Sequence, residues 1–562
     1  MTKGARRGQP LAGAAANRRS FLSLMGLGAI AVAGGGTLAG CGEKAANEGT
    51  AQQVDQLSAV LPKYQPLELV QPDIKGVSPV ANGFTKYPAS LVDAITEKPG
   101  RGSTITTMTP YWGQVPAGPG QNAYLDAINA ELGAVVTPGI QDGNTYADKL
   151  NAILPARDIP DVLCIPSWEI PKIPNFSEAV KALFEDLSDH LAGDKVKPYA
   201  MLANLPTVAW SNAIWNQRLM AVPWPTDGPY PWALFYRKDI TDVLGAAVPK
   251  TAEELYQFGK KVTSPDKGVW AFNNILAMVE MIFRVPGAKE GWRYKDGKVE
   301  FKYETAEFKA ALEFMARLYK EGLVHPEVVA SKGADAKLLF SSGKIVMVQD
   351  GVGSWLGVQA EQQKVTQGFN MQPVPYFAAD GGQPLVHGSG DPIFYTFVKK
   401  GLPKEKIAEI LGVLNFAAAP LGTKEFELIE YGVEGKHFTR GEGGWPQGTD
   451  LQAKEKADQF RFLAGTAPTI KYDARVPTYV NDLINWENAA VGFLEKDPWS
   501  GIKIEMPAGY VKVKQPTEDK ITDIARGRRP LSDLDVVLKE WRDGGGEEGR
   551  TFLAKALSDA GR

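Results

Sequence analysis

Histidine is scarce in this 562-residue chain, and the motifs of the common catalytic centres are missing from it. None of the four histidines stands at metal-ligand spacing from another, so we expect no zinc site. The nucleophile elbow, the phosphate-binding loop and the dinucleotide-binding fingerprint are all absent. These absences count against most classes of enzyme, and we expect neither a metal nor a cofactor. The histidines are His190, His325, His387 and His437.

Cysteine is also nearly absent, since the chain has Cys41 and Cys164 and no others. Cys164 lies in the apolar run of residues 161–165, which predicts a buried strand, so we expect a packed thiol and not a nucleophile. Cys41 ends an apolar N-terminal stretch and is the expected site of lipid attachment. No intrachain disulfide is then available, and the fold must be held by packing.

Long apolar runs are confined to the first forty residues. Two arginine pairs precede a small, apolar stretch at 21–38, which is short of the ~20 apolar residues that a membrane span needs. Residues 17–22, Asn-Arg-Arg-Ser-Phe-Leu, match the twin-arginine export pattern, and residues 38–41, Leu-Ala-Gly-Cys, match the bacterial lipobox. We therefore predict that residues 1–41 are a lipoprotein signal peptide and that lipid on Cys41 anchors the chain to the extracytoplasmic face of the cell membrane. A short transmembrane anchor is the alternative.

Basic residues do not dominate the rest of the chain. Removing residues 1–41 takes away five of the 62 lysines and arginines and none of the 65 acidic residues, which leaves a net charge of about −8. This balance argues against nucleic acid or an anionic surface as the main partner. Residues 42–100 are rich in Ala, Gln, Glu, Pro and Gly and lack long periodic runs. They predict a flexible tether followed by an extended lead-in over the surface.

From residue 103 onward, apolar strands alternate with amphipathic helices. Strands are predicted at 103–109, 134–137 and 161–165, and the segments between them have helical periodicity, with ends at Gly133 and Pro155. This βαβαβ order predicts a parallel sheet covered by helices.

A second block of helices and strands follows. Thr251 and Glu254 form a predicted capping box, and Thr305 is the predicted cap of another helix. Strands are predicted at 343–350 and 393–398. The length of the chain favours two domains.

Aromatic residues cluster in Gly- and Pro-rich loops at predicted strand ends. In α/β sheets the loops beyond the carboxyl ends of the strands are where ligands bind. Flat aromatic rings cover the apolar faces of sugars, while carboxylates and amides bond to the rim of hydroxyls. The aromatics therefore indicate a carbohydrate site, and core packing is the alternative for each of them. The set is Tyr111, Trp112, Trp168, Trp224, Tyr230, Trp232, Trp355 and Trp445.

Several motifs resemble those of one known family. Residues 234–239, Leu-Phe-Tyr-Arg-Lys-Asp, precede a Pro-Lys-Thr-Ala-Glu-Glu-Leu helix start at 249–255. Residues 340–347, Phe-Ser-Ser-Gly-Lys-Ile-Val-Met, form a Gly-Lys strand, and characteristic stretches recur at 431–438 and 497–501. In this order the motifs resemble the extracellular solute-binding proteins of ABC importers, family 1. The likeness is greatest to the large lipoprotein branch that includes alginate-oligosaccharide-binding proteins.

The resemblance implies an α/β, two-lobed periplasmic-binding-protein-like fold of type II, with a cleft and hinge crossings between the lobes. It implies a binding protein that delivers a carbohydrate, an oligosaccharide, to ABC permease subunits. Nothing in the sequence suggests more than a monomer. The expected domains are an N-lobe at 101–232 plus 395–430 and a C-lobe at 233–394 plus 431–562. The expected crossings lie near 233–236, 387–394 and 425–435.

The expected site combines aromatic and polar side chains. Seven aromatics are expected to stack on sugar faces: Tyr111, Trp112, Trp168, Trp224, Tyr230, Trp232 and Trp355. Asp227, Asp350 and Asp391 are expected to accept hydrogen bonds from hydroxyls, with Gln114 helping. An exported polysaccharide-degrading enzyme that pairs Asp350 with Asp391 is one alternative. An oligopeptide-binding protein of the same architecture is the other.

One stretch departs from the alginate-binding relatives. Those proteins hold calcium in a loop after the helix that corresponds to 251–261. Here residues 262–269 offer a single carboxylate, Asp266, whereas calcium takes about six to eight oxygen ligands. We therefore predict no calcium ion at this loop.

Overall fold

The computed structural model describes residues 49–53, 57–226, 228–329, 336–388 and 392–562, which lie within one compact unit, Ala45–Arg562. The strands are β1 Thr50–Gln53, β2 Asn82–Phe84, β3 Thr104–Tyr111, β4 Val135–Asp142, β5 Val162–Pro166, β6 Ile214–Trp215, β7 Arg218–Leu219, β8 Val222–Trp224, β9 Trp232–Arg237, β10 Trp270–Phe272, β11 Trp292–Lys295, β12 Lys298–Phe301, β13 Ile345–Gly351, β14 Met371–Pro373, β15 Phe394–Val398, β16 Phe438–Arg440, β17 Pro446–Gly448, β18 Thr469–Lys471 and β19 Ile502–Glu505.

The α-helices are α1 Ala123–Leu132, α2 Tyr146–Ala156, α3 Phe176–Leu183, α4 Ser188–Leu191, α5 Ala200–Ala203, α6 Thr207–Asn212, α7 Lys238–Leu244, α8 Ala252–Val262, α9 Leu276–Ile282, α10 Ala306–Lys320, α11 Pro326–Val329, α12 Ala336–Ser341, α13 Trp355–Gln363, α14 Lys404–Ala417, α15 Lys424–Tyr431, α16 Asp450–Glu455, α17 Tyr479–Ala490, α18 Ala508–Ala525, α19 Leu534–Trp541 and α20 Glu547–Asp559. Among the helices in the described ranges, none is long and apolar enough to cross a membrane.

The first sheet has the strand order β4-β3-β5-β15-β8. Strands β3, β4 and β5 are parallel, as the βαβαβ pattern predicts. Strand β15 enters from a distant part of the chain and runs antiparallel to both of its neighbours, β5 and β8. The sheet is therefore mixed, and the end of β8 lies at the same edge as the ends of β3 and β5.

Local signals set the helix ends in this half. The side chain of Asn122 accepts a hydrogen bond from the Leu125 amide at 3.0 Å and caps α1. Gly133 ends that helix with a φ of 66°, which suits glycine. Pro155, expected to end α2, lies inside its last turn instead, and Arg157 ends the helix in the left-handed conformation.

The second sheet has the order β10-β13-β9-β14, in which β10 and β13 are parallel and the other pairs are antiparallel. The predicted caps are present. Thr251 accepts from the Glu254 amide at 3.1 Å, and Thr305 accepts from the Phe308 amide at 3.2 Å. The Glu254 carboxylate accepts from the Lys250 amide at 2.8 Å, one residue before the position that a capping box predicts.

Each sheet has its own hydrophobic core, and the two cores are separate. We call the first sheet with its core the first lobe, and the second sheet with its core the second lobe. The chain passes from the first lobe to the second between Trp224 and Tyr230. It returns between Val386 and Phe394 and leaves again between Ala464 and Ile470.

The last of these passages differs from the sequence expectation, which put it near 425–435. Phe426 and Ile429 on α15 are buried in the first core, and so are Trp445 and Phe460, although the expected C-lobe began at 431. Thr423 caps α15 and holds its apolar side against α14, so the chain stays with the first lobe for longer.

Residues 57–100 contain little regular secondary structure, and they are not confined to the surface. Leu61, Phe84 and Tyr87 are buried in the first core, while Val80 and Ala81 are buried in the second. Proline and small residues leave no periodic pattern here, so the sequence did not reveal that these side chains enter both cores.

Cys164 provides a chemical test of the first core. Its thiol is fully buried, and burial raises its pKa well above the ordinary range, so the reactive thiolate is suppressed. In a chain carrying Cys41→Ser, a thiol reagent at mildly alkaline pH should label Cys164 only as the protein unfolds. The labelling rate should match the opening rate measured by amide exchange on β5. Fast labelling of the native protein would contradict a packed core thiol.

Candidate functional site

Aromatic side chains gather at one edge of the first sheet. Tyr111 ends β3, Trp168 follows β5 and Trp224 ends β8. Phe394 begins β15 and pairs with both Pro166 and Trp224, which brings it to the same edge. This is the carboxyl edge of the parallel strands, where ligands bind in open α/β sheets.

Five rings at this edge form an aromatic platform, which consists of Trp112, Trp168, Trp224, Phe394 and Phe462. Its base is buried. Trp224 stacks on Phe394 with centroids 4.8 Å apart and planes 12° apart, and Phe462 lies 4.9 Å from Phe394. Tyr111 and Ile393 pack against this base.

Two tryptophans lie on top of the aromatic platform. Trp112 is 48% exposed and Trp168 is 44% exposed, and their ring centroids are 6.0 Å apart. Trp168 contacts Phe394 edge-on at 5.3 Å, and Trp112 contacts Phe462 edge-on at 6.3 Å. Each indole therefore rests on a buried ring while nearly half of its surface stays open, so large flat apolar faces are held in fixed positions.

A charged cluster lies next to the base of the platform. Lys456 pairs with Asp458 at 2.7 Å, while Arg461 and Lys471 both pair with Glu430, at 3.3 and 3.2 Å. The Arg461 guanidinium lies 5.2 Å over the Trp224 ring. Trp224, Glu430, Arg461 and Lys471 line one small cavity.

Electrostatics keep this cluster ionised. Burial alone would raise the pKa of Glu430, but Lys471 and Arg461 overcome it and hold that pKa well below its usual range. Lys456 likewise lowers the pKa of Asp458. Three cations and two carboxylates of this cluster therefore lie beside an aromatic surface.

One edge of the second sheet, at the start of β9 and the end of β13, combines one open ring with polar groups. Trp232 begins β9 and is 45% exposed, and Asp350 and Gly351 end the neighbouring strand β13. Asn273 follows β10, and its side-chain oxygen accepts from the Gln349 amide at 3.1 Å. The Asp350 carboxylate accepts from the Gly351 amide at 2.8 Å.

A short crossing joins the two edges. β8 ends at Trp224 on the first sheet and β9 begins at Trp232 on the second, so a short segment of chain connects the two edges. Tyr230 in this crossing is buried, and its hydroxyl donates to the Glu487 carbonyl at 2.9 Å. Its ring packs beside Tyr376, so this tyrosine fixes the crossing in place.

Comparison with known proteins identifies the family. Residues 123–418 match the model of the bacterial extracellular solute-binding proteins, which is more than half of the chain. The chain belongs to this family. The family resemblance inferred from the sequence motifs is therefore confirmed.

Solved structures of solute-binding proteins share the fold of this one. A human-milk-oligosaccharide-binding protein of Bifidobacterium longum infantis matches with a TM-score of 0.59 and 17% identity, covering 81% of this chain and 98% of that one. The alginate-binding protein AlgQ2 matches with a TM-score of 0.55 and 16% identity, covering 84% of this chain and 99% of that one. The expected two-lobed fold is thus confirmed.

A sequence relative extends the comparison. The polygalacturonan/rhamnogalacturonan-binding protein YtcQ of Bacillus subtilis (strain 168) is 23% identical over 315 residues. The match covers 52% of this chain and 59% of that protein, so the chain spans about three fifths of the relative's length.

In this solute-binding protein, the predicted site residues fall into three groups. Trp112, Trp168 and Trp232 are exposed at strand ends, Gln114 is exposed, and Asp350 and Tyr111 are half-buried at strand ends. Trp224, Tyr230 and Trp355 are buried; the Trp355 indole donates to the Met371 carbonyl at 2.7 Å inside the second core. Asp227, Asp391 and Cys41 lie outside the described residues.

Sequence reasoning missed the segment that covers the platform from below. Residues 456–462, Lys-Ala-Asp-Gln-Phe-Arg-Phe, supply Phe462 and Arg461 as well as the Lys456–Asp458 pair. The alternation of charged and aromatic residues was the available signal. It was missed because the segment has no helical or strand periodicity.

Metal ions in proteins are held by groups of acidic, histidine and cysteine side chains. Within the described ranges, no three His, Cys, Asp or Glu side chains are arranged to hold a metal ion. Two histidines have structural partners instead. His437 is buried with its Nε2 3.1 Å from Glu455, and His387 contacts the Val285 carbonyl at 2.7 Å.

Glu495 connects two segments of the second lobe by hydrogen bonds, next to the passage that follows Val386. Its amide donates to the Val386 carbonyl at 2.8 Å, and its carboxylate accepts from the amides of Gly287 and Ala288 at 2.9 and 3.0 Å. Burial raises the pKa of Glu495 to about 7, and the charge of Asp497 adds to that effect.

The raised pKa predicts a pH-dependent stability. The folded state binds this proton more tightly than the unfolded state, so the contribution is fully present below about pH 4.5 and is lost as the pH rises through about 7. Glu495→Gln should therefore gain unfolding free energy relative to the unmodified chain between about pH 5 and pH 8. Urea unfolding across that range measures it, with the exposed Glu405→Gln as control. If the free energy of unfolding changes with pH in the same way in the Glu495 variant and the unmodified chain, the raised pKa of Glu495 is contradicted.

Proposed function

We propose that this solute-binding protein captures a carbohydrate, an oligosaccharide, in the cleft between its lobes and delivers it to an ABC permease in the membrane. The observation that supports this most is the pair of half-exposed tryptophans, Trp112 and Trp168, held on a buried aromatic base at the edge of the first sheet.

The chemistry of the two edges fits a sugar chain. A sugar ring has apolar C–H faces, which stack on indoles, and a rim of hydroxyls, which need donors and acceptors. Trp112 and Trp168 offer two adjoining faces, which favours more than one sugar unit. On the second sheet, Asp350 ends β13 beside the strand that begins with the open ring of Trp232, and its carboxylate provides acceptors for the rim.

Capture is proposed to close the cleft. A ligand stabilises a closed arrangement only through contacts that both lobes make with it, which shifts a pre-existing equilibrium. The relatives support the ligand class, since they are proteins that bind polygalacturonan or rhamnogalacturonan, alginate and milk oligosaccharides. The closed form is proposed to dock on the permease.

Replacement of the open tryptophans tests the site. Trp112→Ala and Trp168→Ala should each weaken binding of the best ligand from a panel of neutral and uronic oligosaccharides by about tenfold, or about 1.4 kcal/mol, because a stacking face is removed. Isothermal titration measures this. Val243→Ala, a change at an 86% exposed position on α7, should leave the affinity unchanged.

Two results would overturn the carbohydrate assignment. One is tight binding of peptides with no binding of any oligosaccharide in the panel. The other is an affinity that is the same in the unmodified chain, Trp112→Ala and Trp168→Ala. Release of new reducing ends from a polysaccharide would instead favour the enzyme hypothesis.

The anchor is also proposed. The twin-arginine pattern at 17–22 and the lipobox at 38–41 support export followed by lipid attachment at Cys41. Two acyl chains give a stable anchor where one is marginal, and anchoring raises the concentration of the receptor beside its permease.

Fractionation of cells tests the anchor. Cys41→Ser should move the protein from the membrane fraction to the soluble exported fraction, because no acyl chain can then be attached. Replacement of the other cysteine, Cys164→Ala, should leave it on the membrane and still labelled by radioactive palmitate. Membrane retention of the Cys41 variant, with its N-terminus uncleaved, would support a transmembrane anchor instead.

A further inference from the structure

The N-terminal lead-in is bound to both lobes in turn. It begins on the second lobe, where β1 pairs antiparallel with β19 in a register that matches Thr50 with Glu505 and Gln53 with Ile502. The Gln53 side chain donates to the Asp559 carbonyl at 2.8 Å.

The next residues lie on the first lobe. Leu61 is buried in the first core, and its carbonyl accepts from the Gly193 amide at 2.8 Å. The Lys63 amide donates back to the Gly193 carbonyl at 3.1 Å, and the Leu67 amide donates to Asn204 at 2.8 Å. Backbone pairing and burial together fix this part of the lead-in.

The lead-in then returns to the second lobe. The Val77 amide donates to the Asn488 side chain at 2.8 Å, and Val80 and Ala81 are buried in the second core. Gly83 lies so close to Val480 that a Cβ at this position would clash with it.

A second attachment to the first lobe follows at once. The Tyr87 hydroxyl donates to Glu427 at 2.6 Å, and the Trp445 indole donates to the Thr85 carbonyl at 2.9 Å. The Val92 amide donates to the Gly422 carbonyl at 3.0 Å. Within fifty residues the lead-in is therefore held alternately by the second, first, second and first lobes.

The β1–β19 ribbon itself also contacts the first lobe. The Lys503 ammonium lies 3.2 Å over the Trp215 ring and donates to the Asn212 carbonyl, and the Ser177 hydroxyl donates to Glu505. None of these residues belongs to the three described passages between the cores. The ribbon thus adds a contact between the lobes apart from the hinge.

We propose that residues 49–53 and 57–95 form an interlobe strap that limits the opening of the cleft, with the β1–β19 ribbon as its releasable end. Opening separates groups on the two lobes, and the strap is bound to both, so its weakest attachment must yield first. A two-stranded ribbon is only marginally stable by itself, and β1 is short and largely exposed, whereas Leu61 and Tyr87 are buried. The proposal does not depend on which ligand the cleft takes.

Distances between labels on the two lobes test the strap without any ligand. Val208→Cys on α6 and Val243→Cys on α7 place spin labels at exposed positions on the first and second lobes, in a chain that carries Cys41→Ser. Gln52→Pro breaks the ribbon, because proline cannot donate a backbone hydrogen bond. Lys503→Met removes the contact with Trp215 and leaves the ribbon in place.

Gln52→Pro and Lys503→Met should each add a longer component to the distribution of distances between the two spin labels. The unmodified chain lacks this component, and Gln52→Pro should add more of it than Lys503→Met. The control is Thr439→Pro, which breaks the β16–β17 ribbon within the first lobe and should not shift the distances. If Gln52→Pro fails to fold, Lys503→Met and Ser177→Ala carry the test, since they change only side-chain contacts. Unchanged distances in all strap variants, or the same shift in the control, would overturn the proposal. Failure of sugar binding would not bear on it.

Discussion

Two hydrophobic cores that do not merge are the constraint on which the rest of this structure depends. Because each sheet is covered by its own helices, the lobes are joined by backbone passages that start at strand ends, such as the one from Trp224 to Tyr230. Side chains at those ends rest on a packed core, and in the proposed function they bind the ligand while the gap between the lobes changes. The aromatic platform shows this arrangement: Trp224 and Phe394 are packed, and Trp112 and Trp168 above them stay open.

Much of the fold follows from local patterns. The caps at Asn122, Thr251 and Thr305 and the stop at Gly133 depend on residues within a few positions of one another. The parallel order of β3, β4 and β5 follows from the alternation of strands and helices along the chain. The strap and the last passage between the lobes could not be predicted in that way. Strand β1 pairs with β19 from the opposite end of the chain, and β1, Thr-Ala-Gln-Gln, has no apolar alternation that marks it as a strand.

The sequence predicted that aromatic rings lie at strand ends, but it did not show which of these rings are open. Trp112 and Trp355 both follow predicted strands next to glycine, yet one is open and the other is buried against β14. What separates them is whether a distant segment supplies a partner for the indole, and a single sequence does not contain that information. Phe462 and Arg461 were missed for the complementary reason, since they come to the platform from a segment without periodicity.

Amide hydrogen exchange on the full chain, with and without a bound oligosaccharide, tests the central claim most directly. If the sugar is held between the lobes, it should protect amides at the edges of both sheets, after β3 around Trp112 and at the end of β13 around Asp350. The passages at 225–231 and 387–393 should change as well, because they bend when the cleft closes. Protection confined to one lobe, with the passages unaffected, would contradict capture in the cleft.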